Sequence, residues 1–287
     1  MRLKKLAGLA CLLSLASTAF ALRIMLPAAG AHRVPAVDCV IIGKVTSIEA
    51  KPVMATRFPG DKEKVEYTVA VVKVEESLQG ASGLTSLRVA YVTPKPVPVP
   101  PPGPGPAIRP PIRPFPQVSL SVDQEVCLFL TKHSDEPFYV IQNYNDVLNK
   151  KDNPNFEKQV EPVRKAAKLL ADPKAGLASK DTEERFLTAA LLLTRYQTNR
   201  PGTVGQPKTE AVAADESKQI LLAIADADWT KAAPEYFAMT PQNMFNRLQN
   251  KTGWTQPRDF KQFPDEAKKW LRANAETYRV QKFVSEK

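Results

Sequence analysis

Histidine, serine and aspartate stand side by side once in this chain, at His133-Ser134-Asp135, and these are the residue types that a base, a nucleophile and an orienting acid require. Adjacent residues in a short polar segment do not let an imidazole bridge a hydroxyl and a carboxylate, so the three read as a solvated turn. The other histidine, His32, has no second ligand at a zinc-like spacing. Cys39 and Cys127 sit in apolar runs without the CxxC spacing of a metal or redox pair. Glu75-Glu76 and Glu183-Glu184 read as a charged strand end and a charged first helical turn, and nothing favours them as a glycosidase pair. Gly103 and Gly105 alternate with proline and do not form a phosphate-cradling loop, and Asp226-Ala227-Asp228 lacks the other ligands of a calcium loop. No catalytic, cofactor-binding or metal-binding residue is assigned, and no cofactor is expected.

Where these residues must work is set by the start of the chain. Arg2, Lys4 and Lys5 precede an uncharged apolar run from Leu6 to Phe20, and Ala19-Phe20-Ala21 offers a small-x-small cleavage pattern. Residues 1–21 are expected to be a cleaved secretory signal. An anchor is disfavoured because a spanning helix needs roughly 20 apolar residues, and a lipobox at Cys11 fails because Gly8 stands where leucine belongs. Loss of Arg2, Lys4 and Lys5 with the signal lowers the formal charge from +10 to +7. The expected location is secreted, or periplasmic and cell-envelope. Export removes nucleic acid from reach, leaving an envelope or extracellular protein or an anionic polymer as the partner classes. No transmembrane span is expected after cleavage. An oxidising compartment permits Cys39 and Cys127 to pair, while buried free thiols are also common.

The elements that would position these groups change character along the chain. Runs of valine, isoleucine, leucine and aromatics separated by polar turns predict five strands, at 38–49, 64–78, 86–93, 125–132 and 137–143. The second ends in Lys73, Glu75 and Glu76, as a strand passing from a buried wall into solvent would. Between the third and fourth lies 94–116, where 12 of 23 residues are proline. Without amide donors and with φ fixed, this stretch reads as an extended excursion. Its second half carries Arg109, Arg113 and Phe115, the expected partner-binding loop. Tyr67, Tyr91, Phe129 and Tyr139 are candidates for a stacking face, though alternation favours a core role.

Near Lys150-Lys151-Asp152-Asn153-Pro154 the pattern becomes helical. Phe156, Val160, Val163, Ala167 and Leu170 mark an amphipathic helix with Pro162 as its weak point. Asp181 is expected to cap a second helix while Glu184 reaches back. A third runs from Asp215 to Ala227, a fourth opens at Thr240-Pro241 and a fifth near Pro264. Trp229, Trp254 and Trp270 are expected to fill the core of this half.

Val37-Asp38-Cys39-Val40-Ile41-Ile42-Gly43-Lys44-Val45, the later Tyr67-Thr68-Val69 strand ending in Glu76-Ser77-Leu78-Gln79-Gly80, and Val126-Cys127-Leu128-Phe129-Leu130 form a succession that resembles the netrin-like module of tissue inhibitors of metalloproteinases. Uncharacterised secreted bacterial proteins share that strand pattern. The resemblance spans about 110 residues and implies an OB-type barrel, in which the first and fourth strands are neighbours, so Cys39 and Cys127 are the candidate disulfide. The family's chelating N-terminal cysteine has no counterpart here, since 22–37 contains no cysteine. A second small-x-small triplet, Ala29-Gly30-Ala31, would make His32 a terminal chelator if cut there; Arg23 stands between it and the signal's apolar run.

The expected architecture is α+β with two domains: a five-stranded OB-like barrel at 32–148 carrying the proline-rich insertion, and an all-α helical bundle at 154–287. The expected role is non-enzymatic binding, with an inhibitor of altered mechanism or a hydrolase with a site between the domains as the alternatives.

Overall fold

Two apolar faces are written into the strands around Cys39 and Cys127, and the architecture uses both. The computed structural model describes residues 30–92, 118–199, 208–230 and 239–284. The signal segment 1–21 and the proline-rich stretch with Arg109, Arg113 and Phe115 lie outside the described residues. The chain is mixed α+β, with a large N-terminal sheet followed by helices. The sheet strands are β1 (Cys39–Ile48), β2 (Val53–Thr56), β3 (Lys64–Gln79), β4 (Ser86–Val92), β5 (Glu125–Lys132), β6 (Tyr139–Val140) and β7 (Val147–Asn149). Four of the five expected strands are present, the fifth, expected at 137–143, is reduced to Tyr139–Val140, and the short β2 and β7 are additional. β1 pairs antiparallel with β3 and β5, β3 with β2 and β4, and β5 with β6 and β7, while β4 and β6 run parallel. The pairings β1–β3–β4–β6–β5 therefore lead back to β1.

Strand side chains alternate between faces, and in β1 and β5 both faces are dry. Cys39, Ile41 and Val45 join Val126, Leu128 and Leu130 in one core. Val40, Ile42, Cys127 and Phe129 point the other way, into a cluster completed by helices. Gly43 lets the two backbones approach, because a Cβ there would lie 2.3 Å from the Lys73 carbonyl oxygen. The β1/β3 register shifts on either side of it.

The register does not bring the candidate disulfide together. Cys39 faces Leu130 and Cys127 faces Ile42, three positions apart along the ladder, which is roughly 10 Å at ~3.3 Å per residue. A disulfide needs Cα atoms within about 7 Å, and an odd offset also sends the side chains to opposite faces. Both thiols are free and fully buried.

The helices are α1 (Phe156–Ala171), α2 (Pro173–Leu177), α3 (Thr182–Tyr196), α4 (Ala214–Asp226), α5 (Pro241–Arg247) and α6 (Phe263–Asn274). Pro162 lies within α1, where Val160 and Val163 are buried on either side of it. The Asp181 carboxylate caps α3 by accepting from the Glu183 amide, but Glu184 accepts from Ser179 Oγ instead of reaching back. Thr240 caps α5 ahead of Pro241. Phe245 is enclosed by Trp229, Trp254, Phe263 and Trp270. The C-terminal half is not all helical: β8 (Lys208–Ala211) and β9 (Gln281–Val284) pair as an antiparallel ribbon. No helix of the described residues is long and apolar enough to cross a membrane.

Sheet and helices share a core. Val40, Ile42, Cys127, Phe129 and Leu148 pack in the same cluster as Val160, Val163, Leu191 and Leu221. Glu76 keeps part of its side chain in solvent and also accepts from Arg164 of α1 at 2.9 Å. The 3₁₀ turn Ala31–Ala36 lies against α1 and α3, and its Arg33 pairs at 2.5 Å with Asp146, which is 1% exposed.

Candidate functional site

Gln79, the last residue of β3, organises the junction of the two halves. Its amide nitrogen donates to the carbonyls of Val34 at 3.2 Å and Val37 at 2.8 Å, which fastens the 3₁₀ turn to the sheet. Its amide oxygen accepts from Arg195 Nη2 at 3.1 Å. Directly after it, Gly80 takes φ +74°, and a Cβ there would lie 2.1 Å from the Asp38 carbonyl oxygen. The close approach at Gly80 thus holds the end of β3 beside the start of β1.

Arg195 stands in the last turn of α3, where a cation complements the helix dipole. Burial pushes its pKa below the ordinary guanidinium value, yet so strong a base stays charged. Among the described residues Gln79 is its one hydrogen-bond partner and it has no ion pair. A guanidinium carries five N–H donors, so most of its capacity is unspent.

The opening onto which Arg195 faces is a groove of about 1100 Å³ between the sheet and the helical half. Arg57, Lys132 and Lys282 add positive charge, and Asp38 and Glu210 supply the acids. Glu210 is bound to Lys282 at 2.5 Å, and an Asp38 carboxylate oxygen accepts from the Lys132 amide at 2.9 Å. Phe58, Tyr139, Tyr196 and Phe283 give the walls aromatic surface. Burial raises the Tyr139 phenol, with Asp38 and Cys39 adding to the shift. Burial, and then its hydrogen bond to Glu216, raises Tyr196, so both remain neutral donors.

His133 also borders the groove, but it is buried and its ring is committed. Nδ1 accepts from the backbone amides of Asp135 at 3.1 Å and Glu136 at 3.0 Å, which assigns the proton to Nε2, donating to the Thr56 carbonyl at 2.8 Å. The residue expected in a solvated turn is thus a buried clamp between β2 and the β5–β6 connection. Asp135 accepts from Thr56 Oγ1 at 3.2 Å, so the neighbouring histidine, serine and aspartate form no relay.

His32 lies within the 3₁₀ turn, immediately after Ala31, which is fully buried. Burial, then the Arg33 charge, lowers its pKa. Of the four stacking candidates, Tyr67, Tyr91 and Phe129 are buried, and Tyr139 alone reaches the groove. Cys39 and Cys127 point into two different cores and meet neither each other nor the groove. Among the described residues no group of three histidine, cysteine, aspartate or glutamate side chains is placed to hold a metal ion.

Sequence reasoning missed Arg195, Gln79, Lys132 and Lys282. An arginine closing an apolar helix reads as an ordinary dipole complement, and only its burial without a carboxylate sets it apart. Comparison with protein-family models, with curated proteins and with solved structures finds no match to this chain.

Proposed function

We propose that this is an exported, non-enzymatic binding protein whose N-terminal sheet is an OB-like barrel, and that an anionic extracellular or envelope partner docks in the groove. The barrel reading is supported by the ring of pairings through β1, β3, β4, β6 and β5, with its parallel β4/β6 step. It accords with the netrin-like succession of motifs, whose Gly43 and Gly80 stand at close backbone approaches. In OB barrels the connections after the first and fourth barrel strands carry ligands. Their counterparts here hold Arg57 and Phe58, between β1 and β3, and His133 and Ser134, between β5 and β6; all four border the groove.

The observation that carries the reading is Arg195: a half-buried cation with no ion pair among the described residues, held by Gln79 at an opening where cations outnumber acids. An anionic group entering there would use its remaining donors, and charge-assisted bonds are about twice as strong as neutral ones. The choice of binding over catalysis rests on His133, whose two ring nitrogens are already engaged with backbone.

The test compares two variants of equal net charge on an immobilised polyanion at low salt. Lys132→Glu with Arg195→Glu is expected to elute well before the native chain. Lys158→Glu with Lys165→Glu, both on the exposed side of α1, should elute close to it, and added salt should narrow every difference. Equal loss of retention in both variants would mean that overall charge, and not the groove, does the binding.

A further inference from the structure

We propose that the groove accepts an acidic polypeptide segment in extended form, which adds as a third strand to β9. The inference rests on the groove being the docking surface and specifies what occupies it.

The Val212 amide donates to the Val280 carbonyl at 2.8 Å, immediately before the Ala211/Gln281 pair of the ribbon. Hydrogen-bonded and non-bonded pairs alternate along an antiparallel ladder. Glu210/Lys282 and Lys208/Val284 are therefore bonded pairs, while Gln281 and Phe283 turn their N–H and C=O groups away from β8. Lys282, Phe283 and Val284 all line the groove although their side chains alternate between faces, so β9 meets the groove along its edge. The ribbon has two strands among the described residues. A two-stranded ribbon is marginal alone, and an unpaired edge is a template for another strand.

Charge gives the partner's character. A strand laid along β9 passes an opening that includes Arg195, Lys132 and Arg57, so glutamate or aspartate at alternate positions would meet cations. Phe58 and Tyr139 offer surface to the intervening apolar side chains. A polyanionic glycan would satisfy the cations but leave the outward N–H and C=O groups of β9 unmatched. The edge therefore favours a peptide, whose backbone supplies the affinity and whose side chains supply the selectivity.

The experiment measures fluorescence anisotropy of the full chain with a labelled decapeptide of alternating glutamate and valine. Its controls are the same peptide methylated at every second amide, a lysine-for-glutamate version, and oligogalacturonate as competitor. The acidic peptide is expected to bind. Amide methylation and Arg195→Gln are each expected to weaken it about tenfold, and the lysine version should not bind. Phe283→Pro, which removes an outward N–H without touching a ladder bond, should weaken the unmethylated peptide and leave the methylated one unchanged. If both peptides bind equally and both depend on Arg195, the groove is the site but strand addition is wrong. If oligogalacturonate displaces the peptide at lower concentration and depends on Arg195, the occupant is a glycan and the proposal falls. If Arg195→Gln changes nothing, the groove reading fails with it. Absence of binding by any peptide overturns the proposal.

Discussion

Arg33 and Asp146 are 113 residues apart and meet in a contact, dry on the Asp146 side, that fastens the 3₁₀ turn to the segment before β7. Burial outweighs the Arg33 charge and the Asn143 hydrogen bonds, holding the Asp146 carboxyl above its ordinary value. A carboxyl that binds its proton more tightly folded than unfolded makes the fold lose stability as pH rises from the unfolded toward the folded pKa. Arg33→Met leaves that carboxyl unpaired, and the expected cost is about 3–5 kcal/mol near neutral pH. Loss of the opposing charge raises the carboxyl further, so the deficit should shrink on acidification to about pH 5. Urea midpoints at the two pH values measure it, and a deficit that grew on acidification would contradict the assignment. The cysteines give a second outcome at this scale. Burial pushes both thiols up to about 12, so neither Cys39 nor Cys127 should be alkylated in the native chain near pH 8. Both should be alkylated in denaturant, as read by peptide mapping; a disulfide-linked pair of peptides would restore the pairing that the register rejects.

Among the elements, Gly80 carries the clearest demand on sequence. Its left-handed φ costs a side-chain residue roughly 1–2 kcal/mol, and a Cβ would also collide with the Asp38 carbonyl. Gly80→Ala should therefore destabilise by at least about 2 kcal/mol in thermal or urea unfolding, since this backbone has no room to relax away from β1. An unchanged midpoint would mean that the approach is looser than described. The long elements were legible in the sequence. Alternation placed β1, β3, β4 and β5 within a residue or two, and Asp181 and Thr240 announced α3 and α5 by their caps. The short ones were not, for reasons of length and polarity. Val53–Thr56 and Val147–Asn149 are too brief to show a period. Lys208–Ala211 and Gln281–Val284 pair across some seventy residues with no shared hydrophobic pattern.

For the whole molecule, the shift from strand to helix near Lys150 reads as a domain boundary, yet apolar contact crosses it. Five sheet side chains, Val40, Ile42, Cys127, Phe129 and Leu148, are buried in the cluster that the helices complete. At about 1.5–3 kcal/mol for each large side chain, that contact is comparable with the ~5–15 kcal/mol net stability of a typical domain. A fragment of residues 30–153 is thus expected to lack cooperative unfolding and to bind a hydrophobic dye; a sharp transition near that of the full chain would show the sheet to be self-sufficient. The site was less legible than the fold. The two apolar faces of β1 and β5 hide which face is covered and by what, and Arg195 gains its meaning only where α3 meets Gln79 and the ribbon.

Hydrogen exchange on the full chain, with and without the acidic decapeptide, tests the groove most directly. Added protection is expected at the amides of Arg57 and Phe58, of Thr131 to Ser134 and of Lys282 to Val284, from different elements that border one opening. Protection confined to the outer face of α1, or spread evenly over the chain's basic residues, would contradict binding in the groove.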